Sequence, residues 1–295
     1  MQKIKGVLII IGGDLYLPSE LNGTNGSDDA TKTDTANGKL PDIESAIVTR
    51  FCEALKGDTH RIEIIPTASV IPEKASESYA QTFRDLGYKN VGVLDIRKRE
   101  DARSKDFIDR VKKAEGFMFT GGNQLRLTTI FGGTEVLEIL YHRYAHEPVV
   151  IAGTSAGAMV MSDTMIYEGH SHEALQKGEV KLSHGFGFIQ NIIIDTHFVK
   201  RGRIGRLFQA VVSNPAALGI GLGEDTGLLI REGNIQETVG SGLIIVVDGS
   251  GIRHTNMASI TDGELISIEN LSVHVLVPGD VFYLSERKLV PFRTD

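Results

Sequence analysis

The sequence predicts an α/β protein with a doubly wound, mostly parallel sheet and a β-rich C-terminal extension. Three observations lead to this prediction. Short apolar runs alternate with amphipathic helical patterns through residues 7–162. One of these runs ends directly in a glycine-rich turn, Gly153-Thr-Ser-Ala-Gly157, and a helix-compatible segment follows. From Gly227 onward the apolar runs are short and are separated by Gly, Asn and Asp turns.

The first half of the chain supplies the predicted parallel sheet. Val7–Ile11 is the first strand and ends at Gly12-Gly13. Residues 20–40 are polar and turn-rich and can bury little apolar surface, which predicts an insertion loop. The elements predicted after it are a helix through Ile43, Ile47, Phe51 and Leu55 that Gly57 ends, strands at Arg61–Ile65, Val91–Ile96, Gly116–Phe119 and Val149–Ala152, and helices at Pro72–Leu86, 102–113 and Thr134–Ala145.

The pattern changes after residue 162, where a polar loop is predicted at residues 167–178. The elements predicted beyond it are strands at Ile192–Ile194 and Leu218–Leu222, a helix at Gly202–Ser213, and short strands at Leu243–Val247, His274–Val277 and Val281–Leu284. The sequence contains neither an internal repeat nor a Pro-rich linker. We therefore interpret residues 1–295 as a single α/β domain, with residues 227–295 packed on the sheet.

Composition and charge exclude several classes of protein. The 31 basic and 38 acidic residues give a net charge of −7, which argues against a general nucleic-acid binder. A single cysteine, Cys52, excludes an internal disulfide framework and a Cys-rich zinc site. The N-terminal apolar run covers only Val7–Ile11, and no small-residue cleavage site follows it. We therefore expect neither a signal peptide nor a membrane span, and we predict a cytoplasmic protein.

Ser155 is the candidate nucleophile. It lies in a G-x-S-x-G motif between the Val149–Ala152 strand and a helix-compatible segment, which is the context of a nucleophile elbow. The flanking glycines allow a sharp turn, and the N–H of Ala156 can point at a developing oxyanion. A small-residue turn without chemistry has the same pattern.

His197 is the candidate base among nine histidines, because it ends an apolar strand and so lies at a carboxyl tip. Arg201, Arg203 and Arg206 follow it and can hold carboxylates by bidentate hydrogen bonds, or can pair with local acids. His170-Ser-His172 lacks a carboxylate–histidine set with metal-ligand spacing, so no metal site is predicted.

Two further segments carry candidate residues. Glu224 and Asp225 end another apolar strand, and Asp195 precedes His197 by two residues, so each is a candidate for the acid that orients the base. Gly121-Gly-Asn-Gln124 combines permissive backbone with two amides, which suits an oxyanion hole and substrate binding or a simple turn. The Lys and Ser/Thr of a P-loop are absent there, which argues against nucleotide binding.

Together these segments resemble the cyanophycinase family. The resemblance extends from the first strand to the C-terminus. Four motifs carry it: Phe119-Thr-Gly-Gly-Asn-Gln-Leu-Arg-Leu127, Gly153-Thr-Ser-Ala-Gly-Ala158, Asp195-Thr-His-Phe198 with the arginines after it, and Gly223-Glu-Asp-Thr226. Two further segments also fit, Thr67-Ala-Ser69 and Val93-Leu-Asp-Ile-Arg97. The resemblance implies a hydrolytic domain with a glutamine-amidotransferase-like sheet, in a group of serine peptidases that includes the aspartyl dipeptidases. It also implies a homodimer that needs no cofactor.

The family hydrolyses cyanophycin, multi-L-arginyl-poly-L-aspartate, as an exopeptidase that releases β-Asp-Arg dipeptides. The resemblance implies that Ser155 is the nucleophile, His197 its base and Glu224 the orienting acid. It further implies oxyanion and substrate contacts from the remaining matched positions: Gly122, Asn123, Gln124, Ala156, Asp195, Thr196, Arg201, Arg203 and Arg206.

The chain departs from the family pattern at two places. Thr196 replaces the usual glutamine, and Gly12-Gly-Asp14 leads into an insertion. Both changes alter pocket walls rather than the catalytic residues. Two alternatives therefore stay open: an isoaspartyl dipeptidase that cleaves only β-Asp-Arg, and a non-catalytic sensor or chaperone with an amidotransferase-like fold.

Overall fold

The structure is a computed structural model that describes residues 3–13 and 46–290. The insertion loop predicted at residues 20–40 lies outside the described residues, as does Ile43 of the first predicted helix.

The described strands are, in chain order, β1 Val7–Ile11, β2 Ile62–Ile65, β3 Val91–Val93, β4 Gly116–Phe119, β5 Val150–Thr154, β6 Ser162–Glu168, β7 Lys181–His184, β8 Ile189–Asp195, β9 Leu218–Leu222, β10 Thr226–Arg231, β11 Ile235–Gly240, β12 Ile244–Asp248, β13 His254–Thr255, β14 Ile268–Glu269, β15 Ser272–Leu276, β16 Val281–Tyr283 and β17 Lys288–Val290. The α-helices are α1 Ala46–Leu55, α2 Pro72–Asp85, α3 Lys105–Lys113, α4 Gln124–Phe131, α5 Glu135–His146, α6 Ala156–Met159 and α7 Ile204–Ser213.

The strands form two large sheets. The nine-stranded sheet has the order β17-β16-β11-β10-β1-β5-β4-β2-β3, and its strands from β1 to β3 are parallel. The six-stranded sheet has the order β15-β12-β9-β8-β6-β7, with β6, β8 and β9 parallel. The prediction of a doubly wound α/β fold with a β-rich C-terminal region is confirmed. The sequence did not reveal that these strands divide between two sheets.

β1 shows why an unbroken apolar run forms a central strand. Leu8 and Ile10 pack into the larger core cluster, whereas Ile9 and Ile11 pack into a second cluster together with α1 and α2 residues. Because side chains alternate along a strand, all four are buried only if both faces of the sheet are covered. β1 pairs with β5 on one side and β10 on the other, which places its carboxyl end among the tips of other strands.

Several predicted boundaries change in the structure. β4 and β9 match their predictions to the residue, but the strand predicted at Val91–Ile96 ends at Val93. The helix predicted at 102–113 is interrupted by Ser104, whose backbone is extended between a 3-10 turn and α3. Neither α4 nor β6 was predicted, because the glycine turn and the polar residues at their starts indicated loops. Within the described residues, every helix is too short or too polar to cross a bilayer.

A buried ion pair joins α3 to β2, the next-to-last strand at one end of the nine-stranded sheet. The Glu63 side chain on β2 is fully buried and accepts hydrogen bonds at 3.0 and 2.6 Å from Arg110 of α3, and one at 3.0 Å from Arg61. The hydrogen bond with Glu63 raises the pKa of Arg110.

Arg110→Met should therefore lower the free energy of unfolding by about 3 kcal/mol, because it removes one partner of a buried charge. Urea denaturation measures this change. Arg84→Met is the control: its pair with Glu77 is exposed, so we expect a loss below about 1 kcal/mol. Equal losses in the two variants would contradict a stabilising role for the buried pair.

Candidate active site

Ser155 occupies a strained turn between β5 and α6. Its backbone has φ 52° and ψ −112°, a conformation that L-residues rarely adopt. The turn also needs Gly157, since a Cβ there would lie 2.5 Å from the carbonyl oxygen of Phe119. The N–H of Ser155 donates to the carbonyl of Ile11 at 3.0 Å, and the Ser155 carbonyl accepts from the N–H groups of Ala158 and Met159. These contacts fix the serine at the tip of β5.

His197 meets Ser155 from the end of β8. It has φ 53°, and its N–H donates to the carbonyl of Gly12 at 2.9 Å. Its ring Nε2 lies 2.9 Å from the Oγ of Ser155. Both side chains therefore have the spacing required for proton transfer from the serine hydroxyl to the imidazole.

Glu224 completes a chain of three side chains. It follows β9, and its Oε1 and Oε2 lie 2.8 and 3.1 Å from Nδ1 of His197. A carboxylate only accepts, so Nδ1 carries the proton and Nε2 is left to accept from Ser155. The other acids that the sequence offered have different partners. Asp225 accepts from the hydroxyl of Ser241 at 2.6 Å, and Asp195 pairs with arginines.

The carboxyl end of β1 packs directly against this chain. Gly13 has φ 149°, and a Cβ built on it would lie 2.5 Å from Nδ1 of His197 and 2.6 Å from Oε2 of Glu224. Any side chain at this position would displace one of the two partners. The Gly12 N–H in turn donates to the carbonyl of Thr226 at 2.8 Å, next to the Glu224 turn.

The predicted oxyanion and amide residues lie on two helix starts. Ala156 is the first residue of α6, where backbone N–H groups have no acceptor within the helix. The Gly121-Gly122 turn passes beside Ser155, with 3.3 Å between the serine Cβ and a Cβ built on Gly121. The side chain of Asn123 caps α4 by accepting from the N–H of Leu125 at 2.9 Å.

Gln124 is also engaged, because its Nε2 donates to the carbonyl of Ile166 at 3.1 Å. The side-chain amides of Asn123 and Gln124 thus hold local structure.

Arg203 and Arg206 pair with an acid of the protein itself, Asp195, which is one of the two roles that the sequence left open for them. Asp195 is 0% exposed and lies 3.3 Å from Arg203 and 3.1 Å from Arg206, which is itself only 5% exposed. Burial raises the pKa of Asp195, and the charges of Arg206 and Arg203 oppose that increase. Arg203 also donates to the carbonyl of Thr196, and Arg206 to that of Gly169. These three side chains therefore join β8, α7 and the loop after β6.

Thr196 is fully buried as well. Its hydroxyl, Oδ2 of Asp195 and Nε of Arg206 have no hydrogen-bond partner in the part of the chain that the structure describes, although the last two atoms lie within ion-pair distance of each other. Buried polar atoms without hydrogen-bond partners are costly and are typical of sites that water or a ligand completes. Two of these three atoms belong to Asp195 and Thr196, the two residues directly before His197.

A cleft of about 450 Å³ opens over Ser155 and His197. Arg201, which is exposed, lines this cleft and is the one of the three predicted arginines that does so. The loop after β2 and the first turns of α2 form much of the remaining wall, including Lys74 and Tyr79. These wall residues were not predicted from the sequence. The available signal was their position directly after a parallel strand, at the sheet edge where the other tips meet.

His170, Glu173 and Glu179 form a surface cluster outside the cleft. Their potential ligand atoms lie within 4.8 Å of one another, and His170 Nδ1 is 2.7 Å from Glu179 Oε1. The sequence did not indicate this set, because Glu179 lies nine residues beyond His170. Exposed groups of this kind are common without a metal, and the hydrogen bond with Glu179 raises the pKa of His170.

Comparisons with known proteins identify the family of the chain. Residues 35–238 match Peptidase family S51. The chain is 37% identical over 230 residues to the cyanophycinase of Trichormus variabilis, with 78% of this chain and 77% of that protein covered. It is 34% identical over 238 residues to the cyanophycinase of Synechococcus elongatus, covering 81% and 74%.

A third relative, the cyanophycinase of Geminocystis herdmanii, is 36% identical over 234 residues, covering 79% of this chain and 86% of that protein. The crystal structure of a peptidase from an acI-B1 Actinobacterium shares the fold, with a TM-score of 0.66 at 22% identity over 96% of this chain and 98% of that one. The family match and the curated relatives lead to one conclusion: the chain belongs to peptidase family S51 and is a peptidase.

Proposed function

We propose that this peptidase is a cyanophycinase, a serine exopeptidase that hydrolyses the aspartyl backbone of cyanophycin and releases β-Asp-Arg. The observation that carries the proposal is the continuous Ser155–His197–Glu224 chain, with contacts of 2.9 and 2.8 Å at the base of the cleft. The three cyanophycinases that match most of the chain support the substrate class.

The mechanism follows from the proton positions. His197 Nε2 accepts the proton of Ser155 Oγ as the oxygen attacks a backbone carbonyl carbon, and Glu224 stabilises the imidazolium. We place the resulting oxyanion near the N–H groups of Ala156 and Gly122. The imidazolium then protonates the leaving amine, which leaves an ester on Ser155. Water, deprotonated by His197, hydrolyses this ester and releases the product.

The buried polar residues have a positioning role in this proposal. We propose that Arg203 and Arg206 act on catalysis only by holding Asp195 and the His197 turn in place. Arg201 contacts substrate from the cleft wall. The homodimer and the cytoplasmic location stay predictions.

Ser155→Ala should abolish hydrolysis of cyanophycin granules while leaving the fold unchanged, because it removes the hydroxyl that attacks the carbonyl carbon. Release of β-Asp-Arg, followed by chromatography, measures activity, and circular dichroism measures folding. Ser213→Ala, on the far end of α7, is the control and should keep full activity. Undiminished release by the Ser155 variant would contradict the mechanism, whereas no release by the wild type would favour a non-catalytic protein with this fold.

The same assay separates cyanophycinase from isoaspartyl dipeptidase. The wild-type protein should release β-Asp-Arg from granules and leave isolated β-Asp-Arg intact. Free arginine from the dipeptide, with untouched granules, would instead establish the dipeptidase.

Arg206→Met should lower the free energy of unfolding at pH 8 by about 3 kcal/mol, because the buried Asp195 carboxylate loses one of its two positively charged partners. The sign of the pH dependence follows from the raised pKa of Asp195: the ionised form is disfavoured in the folded protein, so stability is lost as pH rises through that pKa. Removing Arg206 should raise the pKa of Asp195 further, so more of this side chain is neutral at a given pH. The loss in free energy of unfolding should therefore become smaller as pH falls.

Urea denaturation of the variant and the wild type at pH 8 and pH 5 tests this dependence. Arg201→Met is the matched control, since its side chain is exposed and its loss should leave stability unchanged. A deficit that stays constant between the two pH values would contradict a charge effect on Asp195.

A further inference from the structure

The described residues that line the cleft carry a charge opposite to that of the chain. The protein has a net charge of −7, yet Lys74 and Arg201 are the charged residues among the described side chains that line the cleft, and no carboxylate accompanies them there. A cleft lined by one sign of charge concentrates ligands of the opposite sign. The cleft therefore favours an anionic group close to Ser155.

The position of Lys74 is not explained by helix stability. It lies in the first turn of α2, where the helix dipole disfavours a cation. The nearby Glu77 is paired with Arg84 at 2.9 Å, and Lys74 has no ion-pair partner among the residues that the structure describes. An exposed, unpaired lysine on the wall of a catalytic cleft is available to a ligand.

The loop that leads into α2 is held rigidly. The carbonyl of Ala68 accepts from the N–H of Asn123 at 3.0 Å, and the carbonyl of Thr67 accepts from Nε of Arg126 at 3.1 Å. Val70 and Ile71 extend from this loop into the cleft and are 87% and 57% exposed. A fixed backbone with exposed aliphatic side chains suits a ligand that carries an aliphatic stem beside its charge.

We propose that Lys74 and Arg201 form a carboxylate-binding subsite for the polymer, with Val70 and Ile71 covering the aliphatic part of the bound side chain. This inference rests on the proposed function. An arginine joined to aspartate through its amino group keeps a free carboxylate on an aliphatic stem, which matches both features. Lys74 supplies a compact point charge, and Arg201 supplies a planar fork for bidentate contacts. The polymer's terminal carboxylate is the other source of the same chemistry.

Lys74→Gln tests the subsite with soluble oligomers of β-linked Asp-Arg. The expected result is a fall in kcat/KM by ~10-fold, about 1.4 kcal/mol, mainly through KM, since a binding contact is lost. The Lys74→Glu variant should show a larger fall in kcat/KM. Oligomers whose arginyl carboxylates are converted to carboxamides should react slowly with the wild type and show no further loss with either variant. Oligomers amidated only at the chain terminus should behave like the unmodified ones.

Arg84→Gln is the matched control, because it removes a cation from the same helix without touching the cleft. It should keep the wild-type kcat/KM. A Lys74→Gln variant with unchanged kcat/KM on unmodified oligomers would overturn the subsite while leaving the proposed function intact. If Lys74→Gln and the wild type had the same kcat/KM on oligomers amidated only at the chain terminus, Lys74 would bind the terminal carboxylate. That result would overturn the assignment to arginyl carboxylates. Failure of the wild type to hydrolyse granules and oligomers alike would instead overturn the proposed function.

Discussion

The carboxyl end of β1 is the constraint on which the active site depends. The carbonyl of Ile11 accepts the Ser155 N–H, and the carbonyl of Gly12 accepts the His197 N–H. Gly13 then fits against the His197 ring and Glu224, where no side chain can be accommodated. The turns at Ser155 and His197 thus hydrogen-bond to two consecutive residues at the end of one buried strand, and Glu224 lies against the third. Their relative positions follow from the sheet rather than from the flexibility of three separate loops.

Backbone strain accompanies this arrangement. Ser155, His197 and Asp225 all have positive φ angles, and such conformations cost of order 1–3 kcal/mol each in non-glycine residues. They persist because the surrounding elements determine them: β5, β8 and β9 are almost completely buried before these turns. The Asp195–Arg206 pair contributes on the other side, because it joins the last residue of β8 to α7. The strained turns and the buried ion pair therefore both contribute to the positions of Ser155 and His197.

The sequence predicts the parallel sheet well because its strands are buried on both faces, which gives unbroken apolar runs such as Val7–Ile11. The positions of Ser155 and His197 at strand ends were also predictable, since a strand tip is a local feature. The partners of Arg206 were not, because the choice between a substrate carboxylate and Asp195 depends on side-chain direction and burial. The cleft wall at Lys74 was missed for a similar reason. An exposed lysine on an amphipathic helix has no local signal, and only the convergence of β2 with the other strand tips brings it to the cleft.

Substitution of Gly13 by alanine tests most directly whether the end of β1 positions the proposed catalytic residues Ser155, His197 and Glu224. A methyl group there would separate His197 from Glu224, so kcat should fall by about 100-fold, with little change in KM and an intact circular dichroism spectrum. Gly87→Ala is the control: this glycine also has a positive φ, but a Cβ there meets no described atom within 4 Å. The Gly87→Ala variant therefore has the energetic cost of an alanine at positive φ but no steric clash, and it should keep the wild-type kcat. A folded Gly13→Ala protein with the wild-type kcat would contradict the positioning role of this strand end.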